Sequence, residues 1–174
     1  MTRFADGEAD TPVDWTPVSG AGLAAYGAAA AVALVFLYGD DGWVPLLDSA
    51  NLAFHEAGHP LTGLFSARLA VYGGTLGQLA FPVAAMVSFH RRRAALSFAF
   101  ASLWLCENLF NIARYMADAR TQSLPLVGGG EHDWTEIFSR WGLLESDGAV
   151  AGLLRLVAWG GILATAWWLA RRRA

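Results

Sequence analysis

Residues Trp43 to Phe65 read WVPLLDSANLAFHEAGHPLTGLF, an apolar stretch of helical length interrupted by Asp48, Asn51, His55, Glu56 and His59. At 100° per residue Asp48, Asn51, His55, His59 and Thr62 fall within a stripe roughly 80° wide, with Glu56 on its flank. Leu46, Leu47, Ala53, Phe54, Leu61 and Leu64 take most of the remaining circumference. An ionisable side chain at membrane depth costs about 2.5 kcal/mol or more, so an embedded stripe of this kind must face a cavity, a metal or other polar side chains. The alternative is an interfacial helix whose polar side faces water. Pro60 removes one helical hydrogen bond and can bend the helix there. Whether this segment crosses a bilayer or dips into it as a re-entrant helix sets the number of crossings of the whole chain.

The rest of the chain supplies the setting. Of its 174 residues 55% are hydrophobic and 16% charged, against about a quarter charged in soluble domains, and the mean hydropathy is positive. This is the composition of an integral membrane protein. The net charge of −3 is too small to suggest a nucleic-acid partner, and most of the basic residues lie in two triplets. A lone Cys106 within an apolar run excludes a disulfide framework or a cysteine-based metal site within one chain, and reads as a small buried hydrophobe. Ahead of Ala21 stand Arg3 and four acidic residues, Asp6, Glu8, Asp10 and Asp14, the wrong charge for a secretory signal peptide. Residues 1–20 therefore read as a polar tail and residues 21–174 as a single integral membrane domain.

A hydrocarbon core about 30 Å thick needs roughly 20 apolar residues, and four stretches approach that length: Ala21 to Tyr38, Tyr72 to Phe89, Ala94 to Met116 and Ala149 to Ala170. Arginine triplets at Arg91 to Arg93 and Arg171 to Arg173 follow the second and fourth of these. The positive-inside rule puts both triplets in the cytoplasm and the loop over residues 117–148 outside it. If the segment around His55 spans, the chain crosses five times; if it does not, four times. The expected fold class is all-α, a polytopic transmembrane bundle of four to five membrane-embedded helices in a bacterial inner membrane, with the lipid bilayer as its first partner. Trp43, Trp134, Trp141, Trp167 and Trp168 lie near the ends of these stretches or in the long loop and read as interfacial anchors. Gly73-Gly74 and Gly128-Gly129-Gly130 read as turns.

Within the opening stretch, His55-Glu56-Ala57-Gly58-His59 places two imidazoles one helical turn apart, where both can bind one zinc ion while the glutamate between them reaches a water activated by it. A catalytic zinc site usually has three protein ligands, so a third must come from elsewhere. In the extracytoplasmic loop, Glu131-His132-Asp133-Trp134 follows the glycine triplet; His132 is the preferred third ligand because imidazole suits zinc, and Asp133 could ligate or orient a histidine. Glu107, Asn111, Arg114 and Asp118 share one helical face, with Tyr115 adjacent, as either an interhelical hydrogen-bonding seam or a further source of ligands. Asp118 and then Glu107 remain alternatives to His132. Gln78 is a lone amide, expected to bond a neighbouring helix, and His90, beside Arg91, reads as an ordinary interfacial residue. The same residue types also suit iron or another divalent metal.

The His55-Glu56-x-x-His59 signature in a polytopic hydrophobic chain resembles the intramembrane zinc metalloproteases of the site-2-protease type. That resemblance implies ligand roles for His55 and His59, a general-base role for Glu56, and a third zinc ligand from an aspartate on a later span. The family's later Asp-Gly signature is not recognisable here: Asp147-Gly148 is the only Asp-Gly near a later span and its flanks do not fit. The stretch from Ala117-Asp118-Ala119-Arg120 through Leu124-Pro125-Leu126 to His132-Asp133-Trp134 also resembles small uncharacterised bacterial membrane proteins carrying the same zinc signature. The expected function is a membrane-embedded zinc-dependent hydrolase, best read as an intramembrane metallopeptidase acting on a membrane-protein or peptide substrate. The alternative is a non-catalytic metal-binding or structural subunit that works with other membrane subunits in a larger complex.

Overall fold

Ser19 and Ser66 begin two of the long helices by the same device, a side-chain oxygen that accepts an otherwise unpaired N–H of the first turn. Ser19 Oγ accepts from Gly22 N at 3.1 Å and Ser66 Oγ from Arg68 N at 3.2 Å. The computed structural model describes residues 14–40, 42–127 and 130–174; the acidic tail through residue 13, and Gly128 and Gly129 of the glycine triplet, lie outside the described residues. Those described form α1 (Gly20–Leu37), α2 (Leu47–Gly63), α3 (Ala67–Arg91), α4 (Ala95–Ala117), α5 (Asp133–Trp141) and, after a 3-10 turn at Leu144–Ser146, α6 (Asp147–Ala170). The fold is the expected all-α bundle, and among the described residues it contains no strand. Helices α1, α3, α4 and α6 are long and apolar enough to cross a membrane; α2, which carries both histidines of the motif, is not among them.

Backbone hydrogen bonds fix how these helices alternate. Thr16 N donates to Arg93 O at 2.9 Å, Val18 N to Arg172 O at 2.9 Å, and Ala174 N to Val18 O at 3.1 Å. The start of α1, the turn between α3 and α4, and the end of α6 therefore share one end of the bundle, together with both arginine triplets. Four helices therefore run the length of the bundle, and α2 does not. It lies antiparallel to α3 in the remote half, with Phe54 stacked on Phe81 and His59 beside Ala70. At the shared end, Arg172 and Arg171 lie over Trp168 and Trp167 at 3.9 and 4.3 Å, as anchors with a wet and an apolar side do. His90 packs edge-on against Trp15 there, far from α5 and its loop.

Two sequence readings change. Gly73 and Gly74 are not a turn but lie inside α3, which begins at Ala67 rather than Tyr72. A Cβ on Gly58 would stand 1.9 Å from the Gly73 carbonyl oxygen, and one on Gly77 2.3 Å from that of Phe54. The backbones of α2 and α3 thus touch, as small residues allow in helix pairs that have no hydrophobic drive from surrounding lipid. The 117–148 loop is the second change, because it contains α5. Trp134, Ile137 and Phe138 are buried against Ile112, Met116 and Ala151, so Trp134 is part of a core rather than an interfacial anchor. Cys106 is buried in the other core, with Tyr26, Phe110 and Ile162, as its apolar setting implies.

Candidate metal centre

The polar stripe of α2 meets polar side chains of α3 and α4 almost residue for residue. Asp48 accepts from Asn111 Nδ2 at 2.8 Å and from Val44 N at 2.6 Å. Asn51 donates to Glu107 Oε2 at 2.9 Å and accepts from Trp104 Nε1 at 2.9 Å and Asn108 Nδ2 at 3.1 Å. Asp48, Asn51, Glu107 and Asn108 are all essentially inaccessible to solvent. Glu107 and Asn111, offered from the sequence as further metal candidates, therefore stand in the interhelical seam, bonded to the first turns of α2.

One turn later the stripe changes character. His55 Nδ1 lies 2.7 Å from Gln78 Oε1, and His59 Nδ1 2.9 Å from the Ala70 carbonyl oxygen. Both partners only accept, so each Nδ1 carries a ring proton, and in the neutral ring each Nε2 presents its lone pair. Those two Nε2 atoms face the same carboxylate oxygen, Asp133 Oδ2, at 2.9 and 3.3 Å. Close as they are, Asp133 Oδ2 is buried without a hydrogen-bond partner. Two neutral imidazoles and a carboxylate oxygen turned on one another repel unless a metal ion, or a proton on one ring, lies among them. Ligand atoms 2.0–2.1 Å from a tetrahedral zinc stand about 3.3 Å apart, close to the separations seen. Among the described residues His55, His59 and Asp133 are the one group whose donor atoms gather this way.

His132 differs from the sequence expectation. It is the residue before α5, and its Nδ1 accepts from Thr135 N at 3.2 Å as a helix cap. The ring proton then sits on Nε2, which faces Asp118 Oδ2 at 3.6 Å, and the ring lies against Tyr115 at 4.1 Å. Burial pushes this imidazole below the ordinary histidine value, with Asp118 and Asp133 pulling the other way. Asp118, the other alternative, is occupied in shaping the chain after α4: its carboxylate accepts from Thr121 Oγ1, Ser123 N, Ser123 Oγ and Leu124 N. Burial alone would raise its pKa, but these hydrogen bonds hold it well below the usual carboxylate range. Neither residue joins the histidine pair; Asp133, at the first position of α5, does.

Glu56 is exposed and makes no part of this donor group. It faces two cavities of about 430 and 420 Å³ that share His55, Glu56, Tyr115, Leu126 and Val127 in their walls. Tyr115 Oη accepts from Asp133 N at 3.1 Å, which leaves its own proton free to donate.

Two residues of α3 support the His55 ring: Gln78, which bonds neighbouring helices as expected, and Gly74, which escapes the sequence reading. Gln78 holds His55 in its tautomer and is itself held, donating to Asn108 Oδ1 at 2.6 Å. Gly74, four residues earlier on the same face of α3, gives the His55 ring its space: a Cβ there would stand 2.4 Å from both Nε2 and Cε1 of the imidazole. The Gly74-x-x-x-Gln78 spacing was the available signal. Gly74→Ala is expected to swing the ring aside without unfolding the bundle and to weaken zinc binding about 10- to 100-fold, the range seen when the groups supporting a ligand are lost. Titration with a competing zinc indicator measures it. Gly27→Ala, where a Cβ meets nothing within 4 Å, serves as control, and equal affinities for the two variants would contradict the role given to Gly74. No family model, curated protein or solved structure matches the chain.

Proposed function

We propose that this chain is a membrane-embedded zinc-dependent hydrolase, best read as an intramembrane metallopeptidase. The observation that carries the reading is the convergence of the His55 and His59 Nε2 atoms on one buried oxygen of Asp133, with an uncommitted glutamate beside them. Two histidines and a later aspartate are the donors implied by the resemblance to site-2-protease-type enzymes, although here the aspartate lies on a short helix between two long ones. Three protein donors leave a fourth position for water or substrate, the mark of a catalytic rather than a structural site. That favours the hydrolase over a non-catalytic metal-binding subunit.

His55, His59 and Asp133 would hold zinc, which would supply the Lewis acidity that lowers the pKa of a water at the site. Glu56 takes the proton of that water and returns it to the leaving amine. Among the polar groups that could steady the developing oxyanion, Gln78 and Asn111 each donate one amide N–H, to Asn108 and Asp48. Arg114 lines the larger cavity beside His55 and Glu56 and makes only a long 3.4 Å bond to the Gly42 carbonyl oxygen, so it stays available. The Tyr115 hydroxyl lines both cavities and is a further donor. Cavities continuing on both sides of His55 and Glu56 suit a substrate that extends beyond the cleaved bond in both directions, which supports a peptide chain over a small molecule. With the arginine triplets in the cytoplasm, the site opens toward the extracytoplasmic half of a bacterial inner membrane. Removing metal from the purified protein with a chelator should abolish cleavage of a labelled membrane-spanning peptide in micelles, and added zinc should restore it. Cleavage unaffected by complete metal removal would sink the assignment.

A further inference from the structure

We propose that a cavity bounded by α1, α4 and α6 binds the phosphate group of a membrane phospholipid through Arg114 and Arg155. The cavity measures about 290 Å³ and is lined by Leu37, Tyr38, Gly42, Phe110, Arg114 and Arg155. Two guanidinium groups thus come to one space, and among the described residues its lining includes no carboxylate; Arg114 also borders the cavity that holds Asp40 and Asp48. The arginine ion pairs among the described residues belong to Arg120 and Arg140. Arg114 donates to the Gly42 carbonyl oxygen at a long 3.4 Å, which leaves most of its fork unused.

Position makes this arrangement costly without an anion. Arg155 stands on the apolar face of α6 between exposed Leu153, Leu156 and Val157. At 1.5 Å per residue it lies about 24 Å along the helix from Arg171. In a hydrocarbon core about 30 Å thick that is about 6 Å inside the boundary remote from the arginine triplets, within reach of the headgroups. Arg114, about 28 Å along α4 from Ala95, stands near the same boundary. A cation inside the hydrocarbon boundary has to reach outward to the headgroups, and two that share one space also repel. A phosphate between them relieves both, because the planar guanidinium fork matches its oxygens two at a time. Lipid supplies phosphate at this height, and the apolar remainder of the wall, Leu37, Tyr38 and Phe110, suits the glycerol and first acyl carbons. The inference rests on membrane embedding and not on zinc.

The test is ligand retention in native mass spectrometry of protein released from micelles, with three probes: phosphatidylglycerol, diacylglycerol with the same acyl chains, and inorganic phosphate. The wild type is expected to retain phosphatidylglycerol in preference to diacylglycerol. Arg155→Gln should lose that retention at least tenfold while keeping its full zinc content, and Arg155→Lys should recover part of it. Equal retention of the two lipids by wild-type protein, a comparison that needs no variant to fold, would overturn the proposal, as would Arg155→Gln retaining phosphatidylglycerol undiminished. Inorganic phosphate binding as tightly as the lipid would overturn the lipid as the source and assign the cavity to a soluble phosphorylated ligand.

Discussion

Glu56→Gln is expected to keep its zinc and to lose cleavage of a membrane-spanning peptide by at least about 10²- to 10⁴-fold, the contribution of a general base. The two halves of that result have separate causes. Metal retention follows because Glu56 stands outside the donor group of His55, His59 and Asp133, and the amide has nearly the same shape as the carboxylate, so neither the α2 backbone nor the neighbouring His55 need move. Loss of turnover follows because an amide cannot accept the proton that the attacking water gives up. Zinc content and cleavage are measured on the same preparation. Undiminished cleavage with zinc in place would remove Glu56 from the mechanism; loss of zinc along with activity would instead place it among the ligands.

Asp133 and His132 are adjacent in sequence and should behave in opposite ways. Asp133→Ala removes the one oxygen that both imidazoles face, and zinc affinity is expected to fall more than 100-fold, because the two histidines alone make an incomplete site. His132→Gln removes a helix cap, whose loss costs about 1 kcal/mol; it should lower thermal stability modestly and leave zinc affinity within about tenfold. Competition with a zinc indicator, read beside thermal unfolding in the same micelles, separates the two. Zinc loss on His132→Gln with full retention on Asp133→Ala would restore His132 as the ligand.

Hydropathy made the four long helices legible, because the bilayer sets their length and composition directly. It also made α2 legible as a helix with one polar face, and that face is the one that meets Asn108, Glu107 and Asn111. That α2 does not run the length of the bundle was not legible, since it follows from hydrogen bonds from Thr16 and Val18 to residues far along the chain. The glycines of α3 were misread for a related reason: a glycine that admits a neighbouring backbone looks the same in sequence as one that turns the chain. Helix α5 had a signal, Trp134, Ile137, Phe138 and Trp141 at helical spacing, hidden by the expectation of a plain loop. The choice between His132 and Asp133 depends on which of two neighbours begins the helix. The one that caps α5 turns back to Thr135, and the next is aimed at the histidines.

The coordination shell of the metal in the purified, full-length chain tests the centre most directly. Metal analysis combined with X-ray absorption at the zinc edge should find one zinc per chain, bound by two imidazoles and by oxygen from Asp133 and a solvent or substrate position, with no sulfur. A chain that carries no stoichiometric metal, or a zinc ringed by three imidazoles, would contradict the assignment of His55, His59 and Asp133.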